Sequence, residues 1–491
     1  MDTLQLRGPL RRFRNIFIGD RNFYRIVLTL VLPILVQNTV SNFVNLLDNV
    51  MVGTLGTAEL TGVAISNQLI FVFNLTIFGA ISGAGIFGAQ FVGAEDWEGF
   101  RQSFRFKLLV AVGITAVGIL ILTLAPGPLA SLYLTGEGDP AEAAAMLENS
   151  LRYLRVMVWG LLPFALTQSY SGTLRESGNA LPPMIASISA VLVNLVGNYL
   201  LIFGNFGFPK LGVQGAAIAT VLSRYVEFAV VAVWAHTDKR RFHFLTGAFR
   251  SFHIGRRLAG SIASKSLPLL ANELLWALGM TTLTQIFSTR GLNVVAGLNI
   301  ASTISNMFNV FFLSMGTAVA VTVGQSLGAD DIPQAKSQVW KIIFFSVSVC
   351  IGLGSILAVA AGFIPDIYNT TDDVRHLATG FMRTSAMYMA FNATAHCCYF
   401  ALRSGGKTFI TFLFDCVYTW TIAVPYTWLM VNLTGLPVLT LYPLCFLTDV
   451  AKAVIGILVV RTGYWAKNIV KDGNRSGTGS LPEPAGGNGS T

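Results

Sequence analysis

Twelve long apolar stretches alternate with short polar segments, near residues 26–53, 60–86, 106–127, 152–174, 181–204, 212–236, 264–288, 292–322, 339–364, 378–402, 408–431 and 438–461. Each is of the ~20 residues that a helix needs to cross a hydrocarbon core of about 30 Å. A lone strand would leave its backbone groups unsatisfied in lipid, so runs of this length read as helices. The pattern predicts an all-α polytopic membrane protein with twelve transmembrane helices.

The polar residues inside these stretches repeat. Pro33 returns as Pro268, Gly56 as Gly291, Gly62 as Gly297, Asn74 as Asn309, Gln90 as Gln325, and Gly93-Ala94-Glu95-Asp96 as Gly328-Ala329-Asp330-Asp331, always 235 positions later. Chance matching of apolar segments pairs Leu with Leu, whereas this pairing matches Gly, Pro, Asn, Gln and Asp. Further on, Arg155 matches Arg383 and Arg175 matches Arg403 at a spacing of 228, so the second copy is seven residues shorter between its third and fourth spans. Six spans per copy, an even number, give both copies the same orientation. The chain is thus expected to form two pseudo-symmetric six-helix bundles, a parallel internal repeat, around a central cavity. The expected organisation is a cytoplasmic N-terminal segment (1–25), a first bundle (26–236), a cytoplasmic linker (237–263), a second bundle (264–465) and a disordered tail (466–491).

Composition agrees. With 53% hydrophobic and 12% charged residues, the chain has too few charges to clothe soluble domains of this length. The net charge of +9 is spread among short loops, which argues for membrane topology and against a nucleic-acid partner. With both termini in the cytoplasm, most of the 33 Lys and Arg fall on that side, and the acidic segments Glu137–Glu142 and Asp366–Asp373 face outward. The basic linker from Lys239 to Lys265 is placed to meet anionic headgroups as well. All five cysteines lie inside apolar runs without metal-ligand spacing and read as buried small hydrophobes. No cofactor and no obligatory protein partner is indicated; membrane lipids surround the spans.

Five acids fall within the spans: Asp48, Glu227, Glu273, Asp415 and Asp449. Glu227 follows Arg224 by three positions and Asp449 precedes Lys452 by three, spacings at which helical neighbours neutralise each other. Asp48 and Glu273 have no basic residue within a turn, so a distant partner or a bound proton must offset their burial. The copies differ here, because Asp48 aligns with Leu283 and Glu273 with Asn38. Asn194 and Asn198 share one helix face and, with Thr220 and Asp48, would line a pocket with oxygens suited to a proton or a sodium ion. The same amides also serve as plain interhelical hydrogen bonds. Pro33 cannot donate to the carbonyl of Thr29, so the first span carries a helix hinge there, repeated at Pro268.

Several of these residues together resemble the multidrug and toxin extrusion (MATE) family of the larger flippase superfamily, over roughly residues 20 to 465. They are Pro33 with Asp48 in Leu47-Asp48-Asn49-Val50-Met51-Val52-Gly53, then Gly88-Ala89-Gln90-Phe91-Val92-Gly93-Ala94, Arg175-Glu176-Ser177-Gly178, Asn194 with Asn198, Gly212 to Thr220, and Leu267-Pro268 with Glu273. The resemblance implies a plasma-membrane antiporter that expels organic cations in exchange for protons or sodium. It also implies a second-bundle cation site at Glu273 and at the position eleven residues before Arg403. Here that position is Asn392 where some members carry aspartate, so the second site is incomplete and coupling is expected in the first bundle.

Two rival functions leave different marks. A flippase for lipid-linked precursors would line its cavity with several Arg or Lys for pyrophosphate, and the central first-bundle spans offer Arg224 and little else. A membrane-embedded enzyme would cluster ligands or pair a nucleophile with a base, but the five histidines are scattered and only His396 lies well inside a span.

Overall fold

Lipid-length apolar runs fold as predicted, into α1 (Arg21–Gly53), α2 (Thr57–Gly93), α3 (Trp97–Leu124), α4 (Pro140–Met157 and Leu161–Glu176, joined by the tight turn Val158–Gly160), α5 (Leu181–Phe203), α6 (Val213–Thr237), α7 (Arg256–Ser288), α8 (Leu292–Gly328), α9 (Ile332–Ala360), α10 (Asp372–Ser404), α11 (Thr408–Leu433) and α12 (Val438–Arg461). The structure, a computed structural model, describes residues 14–134 and 140–471. The expectations for the first thirteen residues, for the acidic Glu137–Asp139 loop and for the chain beyond Lys471 lie outside the described residues. By length and hydropathy alone, nine helices among the described residues qualify as membrane spans. The three that do not, α4, α7 and α10, are interrupted by polar side chains, several of which are buried: Ser150, Thr167, Ser169 and Thr173 in α4, Ser266 and Asn272 in α7, and Thr384, Thr394 and Arg403 in α10. In α10 the run from Cys397 to Ser404 is buried throughout.

The duplication is visible in backbone chemistry. Gly56 and Gly291 open α2 and α8 at φ +150° and +118°, a conformation open to glycine at no steric cost. Asp96 and Asp331 cap α3 and α9, each accepting a backbone N–H three residues on at 2.9 Å. Before them Glu95 and Asp330 both take the left-handed conformation, at φ 54° and 64°. At these positions each repeated residue does the same work twice.

Two bundles, α1–α6 and α7–α12, meet through α2 against α7 and α8, and α1 against α8. The named approaches lie toward one end of the molecule. Gly79 and Gly83 let α2 sit on the backbone of Leu270 and Ser266, and Leu30 and Ile34 of α1 pack on Val321 of α8. At the tip of that end Gly93 abuts the carbonyl of Gln325, while its counterpart Gly328 abuts the carbonyl of Gln90. Gln90 Nε2 donates to the Ser404 carbonyl at 2.9 Å and Gln325 Nε2 to the Glu176 carbonyl at 2.8 Å. These bonds also obey the repeat, since Glu176 and Ser404 are 228 positions apart. The bundles are sealed here by one contact made twice.

Two expected boundaries need correction. The linker ends at Gly255 and not at 263, because α7 begins at Arg256. What remains of it is folded against the first bundle: Phe242, Phe244 and Ala248 are buried, and Arg101 and Arg105 donate to the carbonyls of Phe244 and Ala248 at 2.9 and 2.7 Å. Residues 466–471, assigned to a disordered tail by their Gly- and Ser-rich neighbourhood, are packed. Gln90 donates to the Lys467 carbonyl at 3.0 Å and accepts from the Ile469 N–H at 2.8 Å, and Asn468 donates to the Gly328 carbonyl at 3.1 Å. Apolar residues decide it, since Trp465 lodges in the second bundle's core and Val470 in the first's. The cysteines are free and buried, as expected.

A Cβ at Gly93 or Gly328 would lie 1.8 or 1.9 Å from a carbonyl oxygen, so the seal cannot close around a larger residue. Gly93→Val and Gly328→Val are each expected to hold this end apart. Spin-label distances between Trp97 and Ile332 positions should lengthen relative to the parent protein, and an unchanged distribution would refute the role given to these glycines.

Candidate functional site

Asp48 sits near the end of α1, where α4, α5 and α6 close around it. The structure brings the four predicted first-bundle residues together. Asn198 Nδ2 donates to Asp48 Oδ1 at 2.6 Å. With its amide oriented to satisfy both neighbours, Asn194 donates to the same carboxylate at 2.8 and 3.1 Å and accepts from the Thr220 hydroxyl at 3.2 Å. Asn194 and Asn198 are both buried, one turn apart on α5. No ion pair reaches Asp48 among the described residues. Tyr153 of α4 was not singled out from the sequence; its buried phenol reaches Thr220 and faces Asp48. The Asn198 Oδ1 is buried without a partner. The two amide N–H groups stabilise the carboxylate when it is ionised, while its burial without a cationic partner leaves a bound proton as the way to neutralise it. A sodium ion fits these residues once the amides turn their oxygens inward, and the orphaned Oδ1 is one such oxygen.

The second-bundle candidates do not come together. Glu273 accepts from the Tyr399 hydroxyl at 3.5 Å, whereas Asn392 lies within hydrogen-bonding reach of Asp449. Asp415 receives Lys452 Nζ at 2.5 Å and Asn272 Nδ2 at 2.9 Å. The expected pairing of Lys452 with Asp449 is thus replaced by a longer reach to α11. Asp415 lies where α11 widens into two π-helical segments, Leu413–Val417 and Thr419–Ala423, just before Pro425 removes a backbone donor. The other expected neighbour pair also fails to close: Glu227 accepts from Ser187, while Arg224 donates to the Gly160 carbonyl at 3.3 Å and lies over the Phe164 ring. Interhelical partners outcompete neighbours on the same helix in both cases. Both hinge prolines lie inside unbroken helices, Pro33 in α1 and Pro268 in α7.

Between the bundles, above the Gln90 and Gln325 seal, lies a cavity of about 130 Å³. Its wall includes Phe78, Ile81 and Ile86 of α2, Lys107 of α3, Arg175 and Glu176 of α4, Val321 of α8 and Phe400 and Arg403 of α10. Lys107 Nζ contacts both Glu176 oxygens, at 2.6 and 2.5 Å, and the Thr173 hydroxyl at 3.1 Å. Arg175 donates to Gln37 Oε1 at 2.7 Å, Gln37 Nε2 to Ser187 at 2.6 Å, and Ser187 to Glu227, so a polar chain crosses the first bundle from the cavity wall. Sequence reasoning missed Lys107 and Glu176 because both lie at span edges, where charges read as topology. The span at 106–127 already holds Lys107 one residue inside its edge, so weighing intramembrane bases along with the acids would have found it.

Glu176→Gln leaves a buried ammonium without its counter-charge and should lower stability by about 3–5 kcal/mol. The Lys107→Met/Glu176→Leu double substitution should recover most of that loss. Thermal unfolding of the purified proteins separates the two, and equal losses in both would show that the pair is not held by charge compensation.

The MatE family pattern matches the chain twice, over residues 33–200 and 268–429. The two matches begin at Pro33 and Pro268, equivalent positions of the internal repeat. A probable multidrug resistance protein NorM of Thermotoga maritima is 23% identical over 447 residues, covering 90% of this chain and 93% of its own. The probable multidrug resistance protein YoeA of Bacillus subtilis is 24% identical over 422 residues, covering 85% of this chain and 89% of its own. A structure described as the outward-facing conformation of a multidrug resistance MATE family transporter superposes with a TM-score of 0.81 at 20% identity, covering 90% of this chain and 96% of that one. The fold is that of twelve transmembrane helices in two lobes, and the family pattern covers both of them. The chain belongs to the MatE family and is an integral membrane transporter of the multidrug and toxin extrusion type.

Proposed function

We propose that the protein expels organic cations across the plasma membrane by alternating access, in exchange for an inward ion taken up at Asp48. The observation that carries this reading is the environment of Asp48: a carboxylate among buried amides, with no cationic side chain paired to it among the described residues. Such a group changes its charge more readily than one locked in an ion pair, and an exchanger needs a site that is alternately charged and filled. Multidrug transport by the relatives named above supports small amphipathic molecules as cargo. Orientation follows from charge. Arg101, Arg105, Lys239, Arg256, Lys336 and Lys407 gather at the sealed end, and Glu142, Glu148, Asp366, Asp372 and Asp373 at the other. The sealed end is then cytoplasmic, with both termini on that side.

Sodium suits Asp48 less well than a proton, because the amides turn N–H donors toward the carboxylate and offer a cation few oxygens, whereas a proton needs only the carboxylate. Efflux of a fluorescent cation from proteoliposomes, under proton and sodium gradients imposed separately, tests both the reading and the ion. Asp48→Asn should abolish ion-driven efflux while the protein still folds and inserts, and efflux at the parent rate would overturn the assignment. Glu273→Gln should lose less, since Asn392 is engaged elsewhere; a larger loss would move coupling into the second bundle. With protons, Asn198→Ala shifts the pH profile of efflux and leaves it indifferent to sodium. A rise in the sodium concentration for half-maximal efflux would make sodium the coupling ion.

A further inference from the structure

The floor of the central cavity carries more positive than negative charge. Three cationic side chains reach its wall, Lys107, Arg175 and Arg403, against one carboxylate, Glu176. Lys107 is taken up by Glu176, and Arg175 by Gln37 with Glu227 behind it. Arg403 is left over. It is only 7% exposed, makes no ion pair among the described residues, and its Nη1 is buried without a hydrogen-bond partner. Rings hold it in place: its guanidinium lies 5.7 Å from the centroid of Phe78 on the first bundle and 5.1 Å from that of Phe400 on the second. The Tyr399 hydroxyl hydrogen-bonds with it and also donates to Glu273, while Glu273 and Glu176 act on it through charge at a distance without closing an ion pair.

A buried cation is retained at a cost unless something of opposite charge meets it. Flanking rings stabilise the faces of a guanidinium and leave its in-plane edge, the edge that binds a carboxylate through two parallel N–H bonds. The cavity wall that Arg403 shares also carries the aliphatic side chains Ile81, Ile86 and Val321. We propose that Arg403 forms an anion subsite at the floor of the cavity, which takes the carboxylate of an amphipathic cargo whose apolar body lies on Phe78 and these aliphatic side chains. The inference rests on the efflux reading above and narrows it: the preferred cargo is an organic cation that also bears a carboxylate, a zwitterion. A purely cationic dye brings no group that satisfies Arg403. The subsite also spans the bundles, because Phe78 and Arg403 belong to different halves, so an occupant there touches both.

Rhodamine B, whose carboxylate is free, and its ethyl ester differ in little but that charge. Fluorescence anisotropy with the purified full chain in nanodiscs of neutral lipid should give rhodamine B a Kd lower than the ester's by about tenfold, the size of one modest charge-assisted contact. Arg403→Gln should bring the ratio of the two constants close to one, and Arg403→Lys, which keeps the charge and loses the fork, should fall between. Equal affinities in the parent protein, or a ratio that survives Arg403→Gln in a variant that elutes and melts as a folded protein, would overturn the proposal. Phosphatidylglycerol in the nanodiscs gives the competing arm: if it displaces rhodamine B in the parent protein, a lipid phosphate and not a cargo carboxylate owns the subsite, and the proposal fails. Ion-driven efflux of the ester is measured alongside. Efflux without acid preference sinks the subsite and leaves the transport reading standing. Acid preference without efflux of either dye sinks the transport reading and leaves the subsite.

Discussion

The structure depends on a close approach of backbones between the two bundles at one end of their seam. Gly93 and Gly328 each lie against a carbonyl of the facing copy, and Gln90 and Gln325 each send an amide across to it. Lipid offers no hydrophobic drive for bringing helices together, so small residues and interhelical hydrogen bonds must provide the attraction. Both are present here, in duplicate. Where backbones meet over glycine, contact rests on a few directional bonds and little side-chain interdigitation.

Symmetry explains what the two halves share, and its absence explains what they divide. The seam, the glycine starts of α2 and α8 and the aspartate caps of α3 and α9 are common property. The charged groups are not. Asp48 faces a leucine in the other copy and Lys107 an isoleucine, Ile342, while Arg175 and Arg403 are matched residues in different surroundings. Arg175 is bound into a polar chain by Gln37, whereas Arg403 rests between aromatic rings. One scaffold made twice has been charged twice in different ways.

Helices, their number and the duplication were legible because lipid imposes a length and an apolarity that the chain cannot hide. The Asp48 pocket was legible for a related reason. Asn194 and Asn198 lie a turn apart on an otherwise apolar helix, and so unusual a pair has to point at something. Partners that depend on which helices become neighbours were not legible. Lys452 stands three residues from Asp449 and yet reaches Asp415, because α11 packs closer to it than spacing alone reveals. Lys107 and Glu176 are far apart in sequence at span edges, and no local rule joins them. The packed segment after Trp465 was misread because composition averages over a window, while burial is decided by two or three large side chains.

Asp48 does not line the central cavity, so any influence of its occupancy on the cargo has to be carried by structure between them. Helix α1 is the natural carrier. It bears Asp48 and, eleven residues earlier, Gln37, about 16 Å apart along the axis at 1.5 Å per residue. Gln37 holds Arg175 on the cavity wall and Ser187 on α5, the helix that also presents Asn194 and Asn198 to Asp48. Pro33 lies one turn beyond Gln37, where the helix lacks a hydrogen bond and bends at least cost. A displacement of α1 relative to α5 would therefore be felt at both ends of the same two helices, as a change in the amide contacts of Asp48 and in the bond between Gln37 and Arg175. The contacts give a continuous physical route between the acid and the cavity, and the weak point of the helix sits at the end of that route nearest the seam.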